Sequence, residues 1–272
     1  MAWLTRYDVD SPHNRDPELI ATLYRILKPI LWPYFRPEIR GLDNLLPGAS
    51  LMVGNHNGAM LMPDAFLLAA AIYERDGIAG VPFGLTHQLG IRLPGVHQLL
   101  CRIGGIRGTL ANAHKVFATG HRVWVYPGGE LDSMRAYRDR ARVVFGTRRG
   151  YIRLALEAGV PIVPFVAAGA HETLYILDDG QWLARALGLD RWPGVKTWPI
   201  VLGLPFGLWV GVPPPHLPWP SRFLIEVLAP LRFEGGREAA QDPTYVEACH
   251  QQVHGAMQST LTRLVAERDA RR

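Results

Sequence analysis

From Pro17 onward the apolar residues Ile20, Leu23, Ile26, Leu27, Ile30, Leu31 and Tyr34 recur every three or four positions, with Arg25 and Lys28 between them. That spacing predicts a helix with one apolar face. Pro29 and Pro33 lie inside the run and predict a kink or break, since proline lacks an amide donor and clashes with the preceding turn. Such a helix, carrying Trp32, Tyr34 and Phe35, suits either a bilayer interface or the closing of one end of a core. Beyond it the pattern alternates. Apolar runs at 51–54, 81–85, 122–126, 161–167 and 223–228 have strand length. Runs at 65–73, 110–118, 150–158 and 243–268 have helical character. The alternation predicts an α/β fold: a single domain with a largely parallel central sheet flanked by helices, preceded by the N-terminal amphipathic helix. The expected division is a tail and helix over 1–35 and the α/β domain over 36–272. No internal repeat or inter-domain linker interrupts it.

One stretch breaks the pattern. Residues 197–221 contain no Asp, Glu, Lys or Arg, and are long enough to cross a bilayer. Pro199, Pro205, Pro213, Pro214, Pro215, Pro218 and Pro220 exclude one continuous helix there, and irregular backbone is not tolerated deep in lipid. A shallow apolar loop is expected instead, with Trp198, Phe206, Trp209 and Trp219 suited to a membrane interface.

Composition adds little until its distribution is considered. The chain is 48% hydrophobic and 19% charged, with a net charge of +5, which by itself does not choose among anionic partners. Arg135, Arg138, Arg140, Arg142, Arg148, Arg149 and Arg153 face only Asp139 in their stretch. They form either a solvated surface or a counter-charge for phosphates. No aromatic reader pattern accompanies them, so nucleic acid is not an expected partner. Cys101 and Cys249 are too few for a disulfide framework, and the N-terminus lacks an apolar core of signal-peptide length. A reducing compartment is the default.

The chemistry concentrates after the first predicted strand of the domain. Ser50-Leu-Met-Val-Gly54 runs into Asn55-His56, followed by Gly58 and Asp64. A strand ending at Gly54 presents His56 at its carboxyl mouth, where open α/β sheets bind ligands. Asp64, the sole carboxylate between Asp43 and Glu74, is the local group able to orient the imidazole. Alternatively it caps the following helix. A second segment, His121-Arg-Val-Trp-Val-Tyr126-Pro127-Gly128-Gly129-Glu130, ends a strand in a glycine turn, and Gly159-Val-Pro-Ile-Val-Pro-Phe165 follows about forty residues on.

In these three ordered segments the chain resembles the glycerolipid and lysophospholipid acyltransferases, over roughly residues 36–230. That family carries Asn-His-x4-Asp, Phe-Pro-Glu-Gly-Thr-Arg and Val-Pro-Ile-Val-Pro after or before successive strands. The resemblance implies a membrane-surface O-acyltransferase that moves a fatty acyl group from an acyl thioester to a hydroxyl of a glycerolipid or lysophospholipid. It implies His56 as base, Asp64 as its orienting carboxylate, and no acyl-enzyme. The substrate-binding residues would be Arg107, Tyr126, Pro127, Gly128, Gly129 and Glu130. The implied partners are a lipid acceptor, a membrane surface, and acyl-CoA or acyl-carrier protein as co-substrate; no permanently bound cofactor and no metal is expected. The implied location is the cytoplasmic face of a membrane, peripheral or monotopic. A catalytically weakened lipid-binding protein on the same fold is the alternative.

The departures bear on the acceptor. Asp64 lies eight residues after His56, where the family spacing is five, so the added residues closed by Pro63 must loop out. Gly128 stands where the motif has Glu, and Leu131 where it has Arg; a second family arginine falls on Leu110, with Arg107 three residues earlier. The Pro-Gly-Gly form looks more like the branch that acylates neutral glycerides. Elsewhere, His250 and His254 share one face of a predicted helix, expected to be exposed rather than metal-binding. His171 is expected to be a loop histidine satisfied by backbone. No Gly-x-Ser-x-Gly, P-loop or dinucleotide fingerprint is present.

Overall fold

Asp16 accepts the Leu19 amide and starts helix α1 (Pro17–Phe35), which ends at Arg36 in the left-handed region. The computed structural model describes residues 6–57, 61–92, 95–192 and 195–271. Of the kink or break expected at Pro29 and Pro33, the break does not occur: α1 is one helix through both. The two prolines are four residues apart on the exposed face, so the carbonyls deprived of an amide partner face water. Ile26 and Ile30 on that face are more than half exposed, while Leu31, Trp32 and Tyr34 pack inward around buried Phe35.

Then follow β1 (Glu38–Arg40), β2 (Leu51–Gly54), α2 (Pro63–Gly80), β3 (Phe83–Thr86), α3 (Gln88–Arg92), α4 (Val96–Arg102), β4 (Gly105–Arg107), α5 (Leu110–Ala118), β5 (Val123–Val125), α6 (Gly129–Ser133), α7 (Gly150–Ala158) and β6 (Ile162–Ala168). A small sheet of β7 (Tyr175–Asp178), β8 (Ile200–Gly203) and β9 (Gly207–Val210), with α8 (Gln181–Ala186) after β7, precedes β10 (Leu224–Val227), α9 (Gly236–Ala239) and α10 (Pro243–Asp269). The main sheet has the order β1-β10-β6-β2-β5-β3-β4. Its five strands from β6 to β4 are parallel, and β10 joins antiparallel to β6 with β1 parallel to β10. The predicted single α/β domain with a largely parallel sheet is the observed one.

Alternation along the strands separates two cores. Leu51 and Val53 of β2 join Ile162 and Val166 of β6 under α5, α7 and α10. Met52, Val163 and Phe165 lie on the other face, under α1 and α2. The inward stripe of α10 is Val246, Cys249, Val253, Met257, Leu261 and Leu264, a three-and-four spacing that covers the sheet with one helix.

The charge-free stretch 197–221 is not simply a loop. It supplies β8 and β9, an antiparallel hairpin paired to β7, over a small core of Met134, Leu174, Ile176 and Val201. Strand β9 is an edge strand that leaves Leu208, Trp209 and Val210 exposed by 64, 43 and 49%. Among the described residues no helix is long and apolar enough to cross a membrane.

Parallel pairing places Gly54 beside Phe165, and a Cβ on Gly54 would lie 2.0 Å from that ring. Trp124 packs edge-on against the same ring with centroids 4.7 Å apart, so the phenyl cannot retreat. Gly54→Ala should therefore destabilise the fold by about 1–3 kcal/mol through overpacking. Chemical denaturation measures it, and an unchanged midpoint would contradict this account of the glycine.

Candidate active site

Where β2 ends, Asn55, His56 and Asn57 emerge at the carboxyl ends of the parallel strands. Asn55 is fully buried and behaves as an extra rung between β2 and β6. Its Oδ1 accepts the Ala167 amide at 2.9 Å, and its Nδ2 donates to the Ala167 carbonyl at 3.1 Å. Asn57, also buried, donates from Nδ2 to the Asn55 carbonyl at 3.2 Å and to Asp64 Oδ2 at 3.3 Å. The histidine is thus framed by two amides whose hydrogen bonds fix the backbone on either side.

The strongest constraint comes from Asp132, which the sequence pattern did not single out, and from Arg135, which it placed only in an arginine run. Asp132, 0% exposed, accepts the His56 amide at 2.5 Å and the Val144 amide at 2.9 Å. Arg135, 3% exposed, pairs with Asp132 at 3.0 Å, donates to the His56 carbonyl at 2.7 Å and to Asn57 Oδ1 at 2.6 Å. Acid and base together grip both polar groups of one peptide residue. His171 lies behind, its Nε2 at 2.6 Å from the Arg135 carbonyl, the backbone partnership expected of it. Burial raises the Asp132 carboxyl pKa, opposed by Arg135 and the two amides.

Asp64 is not the helix cap: that position is Met62, held in the left-handed region, and it makes no side-chain capping bond. Asp64 sits in the first turn of α2, 2% exposed. Residues 58–60 of the long His56–Asp64 connection, Gly58 included, lie outside the described residues. His56 and Asp64 make no hydrogen bond with each other. Instead His56 Nδ1 and Asp64 Oδ1 are both buried and both unpaired among the described residues. Desolvation raises the Asp64 pKa to about 6, against the pull of Asn57 and the helix amides. Desolvation lowers that of His56 to about 4, with Arg135 adding repulsion. At neutral pH the pair is therefore a neutral imidazole near a buried carboxylate.

Tyr126 closes this cluster. Its ring is 4.9 Å from the His56 ring between centroids, its hydroxyl is buried and unpaired, and the nearby Asp64 charge adds to burial in raising its pKa. The Pro127-Gly128-Gly129 turn follows at once. A Cβ on Gly128 would meet Asp132 Cβ at 2.2 Å and the Val144 carbonyl at 2.4 Å, so glycine there makes room for the clamp. The Gly129 amide is taken by the Tyr126 carbonyl at 3.1 Å. Glu130 lies further off, its carboxylate accepting the Lys196 and Thr197 amides at 2.9 and 2.7 Å. Arg107 is not brought in: its guanidinium pairs with Asp10, at the end of β4, three strands from β2.

The arginine stretch is neither a uniform surface nor a single counter-charge. Arg135 is internal, Arg149 pairs with Glu247, and Arg140 with Asp269. Arg138 and Arg142 are about 70% exposed. The expected exposed face of His250 and His254 is corrected: His250 is buried against the Tyr151 hydroxyl at 2.9 Å, and His254 meets the Val143 carbonyl at 3.0 Å. Both lie on the α10 face turned to the 143–151 region. Among the described residues no group of His, Cys, Asp or Glu could hold a metal ion.

Removing one member of a buried ion pair strands the other, at about 3–5 kcal/mol. Arg135→Ala should cost that much in unfolding free energy. Adding Asp132→Asn to Arg135→Ala should cost less than the two single losses combined, and strict additivity in the denaturation cycle would refute the clamp.

The acyltransferase family model matches residues 36–168, the span that contains all three motifs. An uncharacterized protein of Mycobacterium tuberculosis is 29% identical over 265 residues, covering 96% of this chain and 71% of the relative. Diacylglycerol O-acyltransferase 2 of Danio rerio is 29% identical over 161 residues, 55% of this chain and 44% of that protein. The crystal structure of the 1-acyl-sn-glycerophosphate acyltransferase PlsC from Thermotoga maritima superposes with a TM-score of 0.55 at 14% identity, covering 97% of this chain and 85% of that one. It has the same fold. In sequence and in fold the chain is similar to the glycerolipid acyltransferases.

Proposed function

We propose that the protein transfers a fatty acyl group from an acyl thioester, carried by coenzyme A or a carrier protein, to a hydroxyl of a neutral glycerolipid at a membrane surface. The observation that carries this reading is the pair of buried, unpaired atoms His56 Nδ1 and Asp64 Oδ1, the two that a His–Asp base joins. His56, neutral at physiological pH, takes the acceptor hydroxyl proton. The alkoxide oxygen attacks the thioester carbonyl, the carbon–sulfur bond breaks, and the departing thiolate recovers the proton from the imidazolium. Ionised Asp64 stabilises that imidazolium, and Tyr126 shields the pair from water. The lipid-binding alternative draws on one fact, the missing His56–Asp64 hydrogen bond, and the absence of turnover by the unaltered protein would favour it.

His56→Ala should lower acyl transfer about a hundredfold to ten-thousandfold in a folded protein; undiminished turnover would remove His56 as the base. Asp64→Asn separates catalysis from structure. The folded-state pKa of Asp64, about 6, lies above its ordinary 3.8, so the folded chain holds that proton more tightly than the unfolded one. The ionised carboxylate therefore costs stability above pH 6, and the cost is relieved as pH falls from 6 toward 4. Asp64→Asn should raise unfolding free energy at pH 7 by roughly 1–3 kcal/mol while lowering activity. The wild-type rate should fall as pH drops through 6. A variant that loses stability and keeps its rate would make Asp64 purely structural.

Two further expectations concern the lipid. Leu131 and Leu110 occupy the positions where the resemblance places arginines, and Arg107 is engaged by Asp10. The similarity to diacylglycerol O-acyltransferase 2 points the same way. Diacylglycerol or monoacylglycerol should be acylated at least as well as lysophosphatidic acid, and Arg107→Ala should leave that ratio unchanged. Product analysis with labelled acyl-CoA reads both; strong preference for the phosphorylated acceptor would overturn the assignment. The exposed face of α1 and the β8–β9 hairpin should bind vesicles. Sedimentation with anionic vesicles should survive high salt in part, since screening removes the charge contribution and not apolar insertion. No sedimentation at low salt would exclude the membrane surface.

A further inference from the structure

A crevice of about 420 Å³ opens beside the Pro127–Gly129 turn, between the 145–148 loop, α8 and the segment at Lys196. Three cations from three separate segments line it: Arg148, Arg185 and Lys196. One carboxylate, Asp190, opposes them, so the local charge is three minus one, or +2. Leu131 and Phe145 supply apolar lining.

Two of the cations are held in place. Arg148 donates to the Pro127 carbonyl at 3.1 Å and to that of Gly128. The Lys196 amide is fixed by Glu130 at 2.9 Å, and its ammonium rests on the Asp190 carbonyl at 3.1 Å. The third, Arg185, is exposed in the last turn of α8, and no hydrogen bond or ion pair to a described residue occupies its guanidinium. An unengaged arginine lining the same crevice as two anchored cations is what a multiply charged anion needs. Guanidinium forks grip phosphate oxygens in pairs, and an ammonium adds a point charge.

We infer that this crevice binds a phosphate monoester. The charge decides the class: a monoester carries about −1.5 to −2 near neutral pH, matching +2, whereas a carboxylate or phosphodiester carries one. The acyl-transfer reading supplies one carrier of such a group, the 3′-phosphate of coenzyme A; the phosphate of a lysophosphatidic acid, the acceptor that reading disfavours, is the other source of the same chemistry. Binding is measured without turnover, so the inference stands or falls apart from the reaction.

The test is calorimetric titration of the full chain at low salt with coenzyme A, 3′-dephospho-coenzyme A, lysophosphatidic acid and monoacylglycerol. Arg185→Ala/Lys196→Ala is the variant, since both side chains are exposed and Arg148 props the turn. At least one phosphorylated ligand should bind about tenfold or more tighter than its dephosphorylated counterpart, the advantage of a few charge-assisted contacts. The double variant should erase that advantage and leave the melting temperature unchanged. The advantage should also shrink as pH falls below about 6, where the monoester gains a proton. Loss with coenzyme A alone places the donor in the crevice, and loss with lysophosphatidic acid alone places the acceptor there. Equal affinities of phosphorylated and stripped ligands, or an advantage that survives the double variant, would overturn the inference.

Discussion

Asp132 and Arg135 form an ion pair almost without solvent exposure, and both ends attach to the His56 peptide. Asp132 takes its amide and Arg135 its carbonyl. A residue just past the end of a strand would ordinarily fray, because its backbone has left the ladder. Here the lost rungs are replaced by side chains: Asn55 restores one to β6, and the ion pair restores the others. Isolated charges are costly to bury, and full satisfaction of both partners makes this pair tolerable. The requirement propagates outward. Gly128 must be glycine so that Asp132 can approach, and His171 must offer a ring nitrogen to the Arg135 backbone.

The immediate surroundings of His56 and Asp64 show the opposite economy. Polar atoms of His56, Asp64 and Tyr126 are buried without partners, within a few residues of a network in which nearly everything is satisfied. The backbone of the histidine is held rigidly while His56 Nδ1 and Asp64 Oδ1 are left unpaired, the division of positioning from reactivity that the proposed base requires. The conflicting pKa displacements follow from this: burial disfavours both charges, so the imidazole stays neutral while the carboxyl is drawn toward neutrality.

Much of the fold was legible because it depends on local pattern. The alternating apolar runs located β2, β5, β6 and β10, and helical spacing gave α5 and α7 with their observed ends. Continuity of α1 was not legible, since the proline rule does not know which face will meet water. The small sheet was hidden by prolines that suggested a loop, although β8 and β9 lie between them. At the site, the strand–Asn–His order and the glycine turn were readable, but the clamp was not. Arg135 looked like one member of an arginine run, and only tertiary packing distinguishes it from Arg138 three residues on. Asn57 carried no signal beyond its neighbourhood; its importance lies in a bond to Asp64 across a connection of variable length.

Strand β9 carries a consequence of another kind. It is four residues long, it ends its sheet, and its outer backbone groups have no neighbouring strand. Natural sheets usually guard such an edge with lysine or an inward charge, and the stretch 197–221 contains no charged residue at all. The surface proposed to meet lipid therefore also suits the same edge of another molecule. Kept from lipid or detergent, the protein is predisposed to strand-to-strand self-association, and the brevity of β9 between Gly207 and Gly211 is what limits how far such pairing extends.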